Sequence, residues 1–193
     1  MLRGDRFYMA AIGVSAGGME PLHEFFAHIP LDSGIAFIVV PHLNRDYVSI
    51  ADKLLAQHTT MPVWWARQGQ EVKPDHIYML PINKMMTIEK GYLQLQDRQV
   101  QDRSNWAVDI FFTSLAKAQQ AYAIGIVLSG AGSDGTLGAI AIHHEQGMVM
   151  VQDPQTAEFT SMPRSAILKD HPMQILSPER LAQALLTFVA ELP

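Results

Sequence analysis

The chain has 193 residues, 48% of them hydrophobic and 17% charged, with no cysteine and a formal net charge of -5. That length fits one domain with a full core, while the acidic balance and scattered Lys and Arg argue against a nucleic-acid footprint or a basic membrane-surface patch. The missing cysteines exclude disulfides, thiolate metal sites and a Cys nucleophile, in keeping with a reducing cytoplasm. No stretch approaches the roughly 18 apolar residues of a membrane span, and the start, Met1-Leu-Arg-Gly-Asp-Arg, does not read as a signal peptide.

Strand-like apolar runs alternate with segments of helical period. Residues 8–14 read as a strand, and 18–28 as a helix with Met19, Leu22, Phe25 and Phe26 on one stripe. Residues 35–40 are a buried strand, followed at 48–58 by a helix with Ile50, Leu54 and Leu55 facing inward. A short strand opens at Met61, with one ring of Trp64-Trp65 expected inward and the other half exposed. Another strand covers 77–80. Residues 85–89 and 92–96 read as a hairpin around Lys90-Gly91, placed at one edge of the sheet. Residues 96–105 are a polar loop, 106–122 a helix with Val108, Phe111, Phe112 and Leu115 on its apolar side, and 123–128 the most strand-like run. A helix at 137–145, strands at 148–152 and 173–176, and helices at 163–169 and 178–192 complete the chain. This alternation predicts an α/β fold, doubly wound and Rossmann-like, with a mostly parallel sheet, helices on both faces and the edge hairpin.

Three polar residues each stand just past an apolar run: Ser15, His42 and Asp134. In a parallel sheet such positions share one rim, where ligands bind. Serine, histidine and aspartate are the parts of a nucleophilic triad.

Gly13-x-Ser15-x-Gly17 between strand and helix has the form of a nucleophile elbow. The following helix would aim N–H groups at a developing oxyanion. The same pattern also fits a plain turn or a phosphate cradle. In α/β-hydrolases the acid precedes the histidine in the chain, so that variant needs a later histidine such as His171. His42 differs from the other histidines in following a buried strand; His23, His28, His58 and His76 read as surface residues, and His143-His144 end a helix.

Gly130-Ala-Gly-Ser-Asp-Gly135 has two readings. It satisfies the dinucleotide fingerprint, with Asp153 at the ribose distance, which would make the chain an NAD(P)-binding oxidoreductase. A carboxylate at Asp134 would repel a pyrophosphate, so a tight turn presenting Asp134 to a histidine is favoured. No metal-ligand spacing stands out.

With these residues assembled, the chain resembles the catalytic domain of the chemotaxis receptor methylesterases, the CheB family, over nearly its full length. The segments are Ile12-Gly-Val-Ser-Ala-Gly-Gly-Met-Glu, Val39-Val-Pro-His-Leu, Leu128-Ser-Gly-Ala-Gly-Ser-Asp-Gly, Val151-Gln-Asp-Pro-Gln-Thr-Ala and Met162-Pro-Arg-Ser-Ala-Ile. The resemblance implies Ser15 as nucleophile, His42 as general base and acid, and Asp134 as orienting carboxylate. It implies an oxyanion and substrate cleft at Ala16, Gly17, Ala131 and Met162, and no cofactor. The substrates would be glutamyl methyl esters on methylated chemoreceptor helices or a similar sensory protein, with deamidation of glutamines there as well. Ala131 stands where the family usually has Met, and Ala16 where Thr is common. Residues 1–193 are expected to be a single catalytic domain without the usual phospho-receiver, constitutively active and cytoplasmic; the wording of the last two segments is similar to versions fused to a receptor methyltransferase. A catalytically inactive receptor-binding module is the remaining alternative.

Overall fold

The computed structural model describes residues 6–41, 51–98 and 106–191. Along the chain run β1 (Met9–Val14), α1 (Met19–Phe26), β2 (Ala36–Pro41), α2 (Ala51–Leu55), β3 (Val63–Trp65), β4 (Gln70–Glu71) and β5 (Ile77–Met79). Then come β6 (Lys84–Glu89), β7 (Tyr92–Asp97), α3 (Ala107–Gln119), β8 (Ala123–Val127), α4 (Thr136–His144), β9 (Met148–Gln152), α5 (Ser161–Lys169), β10 (Gln174–Leu176) and α6 (Pro178–Glu191).

Seven strands pair in the order β10-β9-β8-β1-β2-β5-β3. Every pairing in this sheet is parallel. Side chains alternate across it, and both faces are buried, as expected for a parallel sheet covered by helices. Ala10, Ile12 and Val14 of β1 join a core with Leu22, Phe25, Leu55, Leu181 and Leu185, under α1, α2 and α6. Met9 and Ala11 face the other core, with Phe111, Phe112, Ile142 and Ala166 under α3, α4 and α5. The doubly wound architecture expected from the sequence is present.

The hairpin forms as expected, with Lys90 and Gly91 both at positive φ (50° and 84°), the geometry that matches strand twist in a two-residue connection. Its location differs from expectation. β7 pairs with both β6 and β4 in a separate three-stranded antiparallel sheet, not on an edge of the main one. Met86, Ile88 and Leu93 of this sheet share a core with α3, and the Ile88 N–H donates to Ser114 Oγ at 3.1 Å. The hairpin is therefore a cover on α3.

Two smaller expectations also change. Leu54 is exposed while Leu55 is fully buried, because neighbouring residues of a helix point to different sides. His23 is only partly exposed and stacks on the His58 ring with centroids 4.2 Å apart. Of the tryptophan pair, Trp64 is exposed and Trp65 packs against the core, as expected. Ile50 and most of the 96–105 loop lie outside the described residues.

Candidate active site

The sheet order reverses between β1 and β8: the chain leaves β1 for β2 on one side and later fills β8, β9 and β10 on the other. At such a switch point the connections diverge and leave a crevice at the carboxyl ends of the strands. The residues that line it are the turns after β1 and β8, held flush because Gly13 is in register with both Val40 and Val127.

After β1 the chain turns within a few residues. The Ser15 N–H donates to Ser129 O, and the Gly18 N–H returns to Ser15 O, both at 3.0 Å. Gly17 takes φ +64°, a left-handed conformation that glycine adopts without a Cβ clash. A Cβ there would also lie 2.7 Å from Glu158 Oε2 and 2.9 Å from Phe159 Cδ2. Ser15 is thus left half-buried at the rim, and among the described residues its hydroxyl has no hydrogen-bond partner.

Ser129 ties the surrounding loops together. Its N–H donates to Gln152 Oε1 at 2.8 Å, and its hydroxyl donates to Ala16 O at 3.0 Å while accepting the Phe159 N–H at 3.1 Å. Gly130 is enclosed by Ser15 Cβ and the Met162 side chain, which touch the place a Cβ would fill. The buried Met162 donates its N–H to Gly130 O at 3.0 Å. Gly132 N–H donates to Ser161 Oγ at 3.1 Å.

With these bonds counted, amides close to Ser15 remain. Among the described residues, the N–H groups of Ala16, Gly17 and Ala131 have no acceptor. Ala16 and Gly17 follow Ser15 directly, and Ala131 follows Gly130, which packs on the Ser15 side chain. The geometry offers hydrogen bonds to an anion beside the hydroxyl, the requirement of an oxyanion site.

Asp134 is 2% exposed. Its Oδ2 accepts the Val108 N–H at 3.0 Å and its Oδ1 the Asp109 N–H at 2.9 Å, so both oxygens meet the N-terminus of α3, where a negative charge is favoured. Burial nonetheless pushes its pKa up to about 6, a rise that the two amide bonds only partly offset. Pro41 is the last described residue of its segment, so His42 lies outside the described residues. His171, the alternative histidine, is an exposed residue after α5.

The glycine turn at 130–135 is not a pyrophosphate cradle. Two of its N–H groups are already committed, Gly130 to Phe159 O and Gly132 to Ser161 Oγ. At the N-terminus of α4, the Gly138 N–H donates to Asp109 Oδ1 at 2.8 Å. A helix start occupied by a carboxylate, beside a second buried carboxylate, has no place for a phosphate. No group of three or more His, Asp or Glu among the described residues could hold a metal ion, and no described helix is long and apolar enough to cross a membrane.

Sequence reading missed Ser129, Gln152, Ser161 and Asp109. For Gln152 the signal was available: like the flagged residues, it is a polar residue at the end of an apolar strand.

A parallel α/β domain with a serine and free amides at its switch point has a crevice where such folds bind their ligands. The family model for the CheB methylesterase matches residues 10–185, and the chain belongs to that family. A Burkholderia lata protein named protein-glutamate methylesterase/protein-glutamine glutaminase 2 is 30% identical over 93% of this chain and 53% of its own length. A Leptospira interrogans protein, whose name provisionally carries the same two activities, is 31% identical over 89% of this chain and 90% of its own length. A 104.1 kDa protein of Rhodobacter capsulatus is 38% identical over 72% of this chain, which spans only 15% of it. The chain spans about half of the Burkholderia relative and nearly all of the Leptospira one. The catalytic domain of Thermotoga maritima CheB methylesterase has the same fold, with a TM-score of 0.85 over 95% of this chain and 100% of that one, at 24% identity.

Proposed function

We propose that this domain hydrolyses glutamyl methyl esters on chemoreceptor helices, and deamidates glutamines there, through a triad of Ser15, His42 and Asp134. The observation that carries the reading is Ser15 at the switch point, with the free amides of Ala16, Gly17 and Ala131 around it. Support for His42 comes from register. Val14 pairs with Pro41, and the next residues in the chain are Ser15 and His42.

In this mechanism the Ser15 oxygen attacks the ester carbonyl while His42 takes the hydroxyl proton. The carbonyl oxygen becomes an oxyanion and accepts hydrogen bonds from the free rim amides. The carbon–oxygen bond to the methoxy group breaks, and His42 returns the proton so that methanol leaves. Water then attacks the acyl-serine, giving a proton to His42, which passes it to the departing Ser15 oxygen, and the glutamic acid product ionises on release. With a glutamine side chain the first product is ammonia. Asp134 orients His42 and stabilises its cation without taking the proton. No cofactor enters these steps.

The domain is proposed to act in the cytoplasm. The direct test is methyl release from methylated receptor membranes. Wild type should release methanol, and Ser15→Ala should not. Receptor binding without methanol release by the wild type would favour the inactive binding module.

A further inference from the structure

We propose that Asp109 is a positioning residue for Asp134, the two carboxylates forming a reciprocal clasp in which each caps the helix that carries or follows the other. The proposal rests on Asp134 as the orienting carboxylate of the triad.

Helices α3 and α4 are both without a cap from their own N-cap residues, Trp106 and Gly135. The cap of α3 comes from Asp134, in the turn leading into α4, and accepts the Val108 and Asp109 N–H groups at 3.0 and 2.9 Å. The cap of α4 comes from Asp109, on α3, and accepts the Gly138 N–H at 2.8 Å. Both carboxylates are buried, at 6% and 2% exposure. If either moves, the other helix loses its cap.

The packing around the clasp leaves little slack. A Cβ on Gly138 would meet the Phe112 side chain and lie 3.2 Å from Asp109 backbone atoms, so the two helices touch backbone to side chain there. Val108, whose N–H is held by Asp134, packs against both Gly13 and Gly135. Gly13 is two residues before Ser15. The clasp therefore fixes Asp134 and braces the strand end that carries Ser15.

Asp109 also sets the charge near Asp134. Among the described residues it is the only charged group that acts on Asp134, whose other partners are backbone N–H groups. Asp109 itself is pushed up by burial, against the pull of helix N–H groups. Its Oδ2 is buried and has no partner among the described residues, as is Thr136 Oγ1 on the first turn of α4. An amide at position 109 can still accept the Gly138 N–H, but it removes the neighbouring negative charge. Loss of a negative charge lowers the pKa of every nearby acid, Asp134 and a histidine held by it alike.

The test compares Asp109→Asn with Asp109→Ala in the full chain, reading the rate at which a fluorophosphonate probe labels Ser15 as a function of pH. Asp109→Ala should slow labelling roughly tenfold to a hundredfold through misplacement of Asp134. Asp109→Asn should restore the rate to within about threefold and move the acid limb to lower pH. Carboxyl NMR of labelled aspartates should show Asp134 titrating lower in Asp109→Asn, whether or not Ser15 reacts. If folded variants label at the wild-type rate with an unmoved acid limb and unmoved Asp134 titration, Asp109 is only a helix cap and the proposal is overturned. If the wild type itself is not labelled, the catalytic reading fails separately, and the Asp134 titration alone decides the clasp.

Discussion

Two glycine-rich turns lie side by side where the sheet order reverses, and they treat their polar residue in opposite ways. The turn after β1 leaves Ser15 half-buried, next to the unpartnered amides of Ala16 and Gly17. The turn after β8 sequesters Asp134 with both oxygens on the start of α3. Helix α3 makes the difference. Val108 packs under both turns, against Gly13 and Gly135, but the free N–H groups of the helix start reach only Asp134. A glycine turn at a strand end can display a side chain or bury it, and the helix packed beside it decides which.

The sharpest way to break this contrast is to remove the displayed residue. Ser15→Ala should lower methyl release by roughly four orders of magnitude or more, with thermal stability unchanged, because the side chain is a small one at the rim. His42→Ala should fall comparably, and the double variant should be little worse than either, since triad members act as a unit.

Changing the buried partner should cost activity less and stability differently. Asp134→Asn should lower turnover by about a hundredfold to ten-thousandfold. Its effect on stability carries a pH signature. The folded pKa of Asp134 is raised from 3.8 to about 6, so the native state keeps this proton longer than the unfolded chain. Stability from the protonated group is complete below 3.8 and is lost as pH rises towards about 6. Denaturation midpoints across that window should fall with pH in the wild type and lose that component of the slope in Asp134→Asn.

Gly130→Ala tests the contact between the two turns. The added Cβ would press on Met162 and on the Ser15 side chain, an overpacking of about 1–3 kcal/mol. It should also misplace Ser15 and lower turnover by roughly tenfold to a hundredfold. A wild-type rate would show that the serine tolerates movement of the neighbouring turn.

The smallest effect is expected at the base of the same turns. Gln152→Leu leaves the Ser129 N–H without its acceptor, a loss of about 1–3 kcal/mol for a buried group. Turnover should change by only a few-fold, because Ser129 keeps its hydroxyl bonds to Ala16 and Phe159. Thermal denaturation and initial rates on one preparation measure both.

These expectations also mark how far the sequence could be read. The rim positions of Ser15 and Asp134 were legible because an apolar run that stops at a polar residue is a local pattern. So were the parallel sheet and the tight connection at Lys90-Gly91. The partner of the hairpin was not, since β4 is only Gln70-Glu71 and has no periodicity of its own. Nor was the burial of Asp134, which depends on amides 25 and 26 residues earlier in the chain. Leu54 and Leu55 show the same limit at short range: both fit an apolar stripe, and only packing decides that of these two Leu55 is buried.

The central claim is that the displayed serine is an activated nucleophile. Mass spectrometry after treatment of the purified chain with a fluorophosphonate probe tests it most directly. The account predicts a single adduct on Ser15, absent from Ser15→Ala and strongly slowed in His42→Ala. A folded wild type that takes no adduct, or methanol release that persists in Ser15→Ala, would contradict it.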